Sequence, residues 1–315
     1  MTILDFPLPR GYDTGIKKGG LPMDRRTLWK GYFYILTSAV VYGTMPLMAK
    51  LIYAQGVDAM SLVFWRNFLA IPVLAFLATR KGGSLKLPRK ELGFIAVASV
   101  FGSCITPVLL FSSYSFVASG TATVFHFIYP SVVVLWGLLF GRGEKKWTDL
   151  LCAGSCAMGI ALFYDPTEPL DLRGAGLALL SGVTYAVYVV LVGSSGHRKI
   201  PPMTFSFYIL CFCAAAMLLV CTIRGGVRTP ESLAGWLLCL AFSIGINVGA
   251  VLLFQMGAML IGGQRAAILS TMEPITSILI GALVFAESIG LGTAAGSVLV
   301  VMSTILIAVF DRKRH

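Results

Sequence analysis

Two groups able to do chemistry stand deep inside apolar stretches of the chain, Glu273 and His126. A carboxyl held in hydrocarbon can take up and release a proton or hold a cation, and an imidazole can shuttle a proton or donate a hydrogen bond. Glu273 lies about eight residues into its apolar block, roughly 12 Å at 1.5 Å per residue, and His126 has a similar depth. Tyr129 follows His126 by three residues and Ser270 precedes Glu273 by three, so each pair shares one helix face. Tyr42, Tyr185, Trp65, Tyr188 and Asn247 add aromatic faces with a few polar anchors, the composition of a small-molecule cavity. Glu273 then exchanges a proton or binds a cationic group of a substrate, with His126 and Tyr129 on the opposite wall. The competing reading is structural. Pro274 has no N–H to give, so the carboxyl can serve freed backbone groups beside it, while His126 satisfies a neighbour.

The remaining ionisable groups read as architecture. Arg66, about seven residues into its block, and Lys50 have long stems within reach of an interface and are expected to snorkel, as is Arg265. Glu144 and Glu287 each stand at a short turn into the next helix and are expected to cap its free N–H groups. Gly245–Gly249 and Gly292–Gly296 have the GxxxG spacing of close helix contacts; the second suits either a homodimer contact or packing within the chain. Seven cysteines, among them Cys152 and Cys156, all fall in apolar stretches without a CxxC pair, and read as free thiols. There is no HExxH, no nucleophile motif and no GxxxxGK[ST]. The sequence therefore gives no expectation of an enzyme, a metal, a cofactor or an ATP site.

The elements that must position these groups follow from composition. Of 315 residues, 57% are hydrophobic and only 12% charged, with a mean hydropathy of +0.84; a soluble domain carries about 25% charged residues. A soluble globular protein is excluded. With about 20 apolar residues per crossing, the sequence predicts an all-α integral membrane protein of ten helices, near 29–52, 59–79, 91–112, 116–140, 148–164, 174–194, 203–223, 232–256, 260–285 and 289–310. The excess of 25 Lys+Arg over 14 Asp+Glu is no nucleic-acid patch, because the charges lie between apolar blocks. Segments 1–30, 80–90, 142–146, 198–199 and 312–314 hold 19 of the 25, which places both termini in the cytoplasm. Residues 1–28 read as a flexible cytoplasmic tail rather than a signal peptide, 311–315 as a second tail, and Met23 is an alternative start.

Shifting the chain by 143 residues superimposes its halves. Gly31, Ser38 and Tyr42 fall on Gly174, Ser181 and Tyr185; Val108–Phe111 falls on Val251–Phe254; after a one-residue slip, Pro130 and Gly137 meet Pro274 and Gly281. His126 then corresponds to Ser270, and Tyr129 to Glu273. The repeats span 29–164 and 174–310. Each holds five helices, an odd number, so the second is inverted in the membrane. Inverted repeats are the recurring architecture of secondary transporters.

Ten helices as five plus five, with a proline in the fourth of each half (Pro130, Pro274) and a closing Glu (Glu144, Glu287), resemble the EamA family of the drug/metabolite transporter superfamily. The resemblance covers about residues 30–310. It implies an inner-membrane carrier of small metabolites, with helices one to four and six to nine around a cavity and five and ten peripheral. Export of amino acids or related metabolites leads, and uptake of a vitamin, nucleoside or other nutrient is the alternative. A non-transporting scaffold is a third reading. The expected partners are a small-molecule substrate, lipid and protons.

Overall fold

The structure, a computed structural model, describes residues 25–80, 85–140, 154–155, 158–159, 161–162, 171–194, 200, 202–261, 266, 269–270, 272–287 and 289–311. These are helical throughout apart from short turns. In the first half run α1 (Arg25–Gly43), α2 (Met45–Tyr53), α3 (Ala59–Phe68), α4 (Ile71–Arg80), α5 (Arg89–Ser99), α6 (Thr106–Ser113), α7 (Ser119–His126) and α8 (Tyr129–Phe140). In the second run α9 (Leu172–Ser194), α10 (Pro202–Ile223), α11 (Leu233–Ile244), α12 (Val251–Ile261), α13 (Met272–Phe285) and α14 (Leu291–Asp311).

Six helical runs among the described residues are long and apolar enough to cross a membrane, and two shorter apolar helices follow them, Met272–Phe285 and Leu291–Met302. Large side chains on the outside support that setting. Phe33, Ile223 and Leu283 are 66%, 77% and 83% exposed, surface that lipid rather than water covers. Most of the expected tails and of the fifth helix, 148–164, lies outside the described residues, while residues 25–28 and 311, expected in the tails, belong to α1 and α14.

Where the sequence predicts unbroken helices, proline interrupts them. α1 gives way to α2 at Thr44, ahead of Pro46, and α3 to α4 at Leu69–Ala70, ahead of Pro72. α7 gives way to α8 at Phe127–Ile128, ahead of Pro130. In each case the ring nitrogen cannot donate to the carbonyl four residues back. Between α5 and α6, Val100–Ile105 winds as a π-helix that stops short of Pro107. Pro107 leaves the Ser103 carbonyl without its helical N–H, and Cys213 Sγ donates to it from α10 at 3.0 Å. A second π-helix, Gly245–Ala250, joins α11 to α12. Shifted back by 143 residues it begins at Gly102, inside the first. This corrects the reading of Gly245 and Gly249 as a close-packing motif: a Cβ at Gly245 would meet nothing within 4 Å.

The halves pack by exchanged contacts. α1 lies against α12 and α13, and its mate α9 lies against α6, α7 and α8. α10 meets α5 just as α11 meets α3, while α3 and α10 pair directly as repeat mates and α7, from the fourth helix of one half, packs on α13, from the fourth helix of the other. α7 starts where α13 ends, with Ser119 bonded to Glu287, so these two segments run in opposite directions. The shared core draws Ile52, Leu62, Phe111 and Phe125 from one half and Phe242 and Ile246 from the other, all at most 2% exposed. Gly292 and Gly296 approach Leu162 and Gly159, a contact within the chain.

Candidate functional site

Glu273 sits in the first turn of α13, pressed against α1 at Gly43. A Cβ on Gly43 would lie 2.5 Å from Thr276 Cβ and 2.9 Å from the Glu273 carbonyl, and Ser277 Oγ donates to the Gly43 carbonyl at 3.1 Å. Only glycine permits that approach, which seats the Glu273 side chain beside Tyr42. Tyr42 precedes Gly43 on α1 and packs, with Tyr129, on the shared core. Glu273 is half-buried, and among the described residues no hydrogen bond or ion pair engages it. Pro274, whose missing N–H motivated a backbone role for Glu273, is itself buried in α13.

The wall near it is aromatic and comes from both halves. Tyr129 and Tyr185 meet edge to face at 4.8 Å, Tyr185 stacks on Tyr188 at 5.6 Å, and His126 lies 5.4 Å from the Tyr185 ring and 5.9 Å from that of Tyr129. The break ahead of Pro130 turns Tyr129 toward this cluster. His126 is buried, with Nδ1 2.9 Å from Ser181 Oγ. Ser181 Oγ also lies 2.6 Å from the Ala178 carbonyl, so a chain of contacts ties His126 to α9. His126 thus satisfies a neighbour, the structural alternative for this residue. Ser270 is half-buried, one turn before Glu273.

Two of the expected lining residues are held by partners of their own. Trp65 belongs to the loop end of the bundle, where its Nε1 donates to the Arg228 carbonyl at 2.9 Å and its ring meets Trp236 at 4.7 Å. Asn247 lies in the second π-helix and holds Arg66: Arg66 Nη2 donates to Asn247 Oδ1 at 2.9 Å, and Asn247 Nδ2 donates to the Arg66 carbonyl at 2.6 Å. Arg66 therefore does not snorkel. Its guanidinium is turned inward over Phe111 and Phe242, 5.5 and 5.9 Å from the ring centroids. The repeat carried a signal for this, since Arg66 falls on Ile209, an ionisable group where the other half has an aliphatic one. Tyr114, beyond α6, was missed as well.

Lys50 and Glu287 also depart from their expected roles. Lys50 Nζ donates to Glu287 Oε1 at 2.6 Å instead of snorkelling. Glu287 caps a helix, but it is α7 of the other half, through Ser119 N and Oγ, rather than the next helix in the chain. Glu144 and Arg265 lie outside the described residues. Cys104, Cys211, Cys213, Cys221 and Cys239 are free thiols.

Known proteins agree with this picture. The chain matches the EamA-like transporter family over residues 29–164 and again over 172–309. It is 27% identical over 300 residues to an uncharacterized inner membrane transporter, YicL, of Salmonella typhimurium, covering 90% of this chain and 97% of that one. It is likewise 27% identical over 272 residues to an uncharacterized transporter, YcbK, of Bacillus subtilis, covering 83% and 87%. A solved crystal structure shares the fold with a TM-score of 0.60 at 18% identity, over 90% of this chain and 98% of the other. Two matches of one family in tandem, on an all-helical bundle whose halves exchange contacts, place the chain in the EamA-like transporter family as a multi-pass membrane transporter.

Proposed function

We propose that this transporter is a secondary carrier working by alternating access between two inverted five-helix repeats, and that it exports amino acids or related metabolites. One observation carries the reading. Glu273, a carboxyl with no hydrogen bond or ion pair among the described residues, is half-buried beside tyrosines contributed by both halves. An uncompensated carboxylate inside a membrane protein is costly, and a substrate amine or a proton removes that cost while bound. Tyr42, Tyr129 and Tyr185 supply faces that attract a cation and pack on an apolar side chain. The antiparallel approach of α7 and α13, drawn from the fourth helix of each half, supports the inversion. Two similar halves of opposite direction can exchange conformations and open one central site to each face in turn. In the sequence, Lys and Arg crowd alternate interhelical segments, and on that basis both termini are assigned to the cytoplasm.

The test overexpresses the wild type and Glu273→Gln in a bacterial host and profiles metabolites in cells and medium. Selective appearance of amino acids outside, lost in the variant, is the expected result. Depletion from the medium instead would turn the reading to uptake. In liposomes, a loss on Glu273→Gln that is equal at every pH would sink the proton role and leave amine binding.

A further inference from the structure

Arg66 is turned into the bundle and has no acidic partner among the described residues. Among the described residues its only side-chain hydrogen bond runs to Asn247, its Nε is buried without a partner, and no carboxylate lies within ion-pair distance. An unpaired guanidinium among Phe111 and Phe242 is expensive, because transfer from water is repaid only by a counter-charge or a full set of hydrogen bonds. The ring of Phe111 under Arg66 meets that of Tyr114 at 5.9 Å, and Tyr42, next to the Gly43 that Glu273 packs on, lies against the same core. A positive and a negative group thus border one aromatic core without pairing with each other.

The repeat separates architecture from function here. Ser243 Oγ donates to the Arg66 carbonyl at 2.6 Å, and Ser99 Oγ donates to the Ile209 carbonyl at 2.8 Å. Ile209 is the mate of Arg66, and Ser99 is the mate of Ser243 after a one-residue slip. Both helix crossings therefore rest on a backbone carbonyl, and one of them is built with isoleucine. Asn247 is likewise matched by Cys104. The crossing needs neither the guanidinium nor the amide, yet the sequence keeps both in one half only.

We propose that Arg66, oriented by Asn247, is the anion pole of the transport site, which makes a carboxylate a requirement for the substrate and Arg66 the residue that enforces it. This rests on the carrier reading above and deepens it: a zwitterion places its carboxylate on the free edge of Arg66 and its amine at Glu273. A planar guanidinium suits a carboxylate in two-point contact.

The experiment uses the full chain in liposomes, with a panel of L-amino acids, their amides, which lack the carboxylate, and the matching acids without the amine. Wild type should exchange the amino acids at least about tenfold better than their amides, since a hydrogen-bonded charge contact is worth that much. Arg66→Ile/Asn247→Cys copies the pair that the other half already accommodates, so it should fold and carry acid and amide alike. Asn247→Asp is a second variant, whose new carboxylate occupies Arg66 from within and should erase the same preference. A folded Arg66→Ile/Asn247→Cys protein that still prefers acids over amides overturns the proposal. So does wild type that carries both equally and loses both on Glu273→Gln, an outcome that leaves the carrier reading standing. Wild type that moves nothing in the panel overturns both.

Discussion

Lys50 Nζ lies 2.6 Å from Glu287 Oε1, an ion pair between residues 237 positions apart in the chain. Glu287 also accepts from the backbone N–H and the hydroxyl of Ser119. Its carboxylate fills the space beside Gly281, where any Cβ would collide with Oε2. One carboxylate therefore ties the end of α2 to the start of α7 and the end of α13, closing that end of the bundle. The side chains are 24% and 15% exposed, between the surface case, worth about 0–1 kcal/mol, and the buried case, where losing one partner costs about 3–5 kcal/mol. Lys50→Glu should cost about 2 kcal/mol by that interpolation. The Lys50→Glu/Glu287→Lys reversal should restore only part of it, because a lysine cannot accept from Ser119. A double-mutant cycle on thermal unfolding in detergent measures this, and full additivity would show that the pair contributes nothing.

The same contact sets a pH dependence. Burial pushes the Glu287 carboxyl up, but the hydrogen bonds from Lys50 and from the Ser119 backbone outweigh it and hold it below the ordinary 4.5. A lowered native pKa means stabilisation that is complete above the ordinary value and is lost as pH falls through the native one. The stability difference between wild type and Glu287→Gln should be flat from neutrality down to pH 4.5 and shrink below it. A difference that grows on acidification would contradict this assignment.

Ser99→Ala and Ser243→Ala should behave as a matched pair. Each removes one hydroxyl donor to a carbonyl across equivalent crossings, at 2.8 and 2.6 Å, so each should cost about 0.5–1.5 kcal/mol. Unfolding midpoints of the two variants measure it, and costs differing by more than that range would show that the crossings are not equivalent.

Trp65→Phe and Tyr185→Ala should separate the loop end from the central wall. Trp65 is bonded to the Arg228 carbonyl and packed on Trp236, so its replacement should lower stability and leave the KM for substrate within about twofold. Tyr185 touches Tyr129, Tyr188 and His126, so Tyr185→Ala should raise KM about tenfold. Equal effects on KM would place Trp65 in the site after all.

Much of the fold was legible because membranes constrain sequence so strongly. Apolar runs of spanning length, a 143-residue self-match and segregated basic residues all follow from the cost of exposing polar groups to lipid. The prolines that break the first-half helices were visible too. Their effect could not be read, because whether Pro46, Pro72 or Pro107 ends a helix, kinks it or widens it to a π-turn depends on what receives the freed carbonyl. For Ser103 that is Cys213, 110 residues away in the chain.

The site divides along the same line. Sequence by itself determined that Glu273, Tyr42, Tyr129 and Tyr185 belong to matched positions of two repeats, since periodicity and self-similarity are local properties of the chain. Only the tertiary structure decided which charges are answered. Lys50, Glu287, Arg66 and Asn247 look alike as polar residues in apolar blocks, yet Glu287 found its partners and Glu273 found none among the described residues. Hydrocarbon makes each of these charges costly wherever it lies, and the contacts that offset that cost come from helices far apart in the chain.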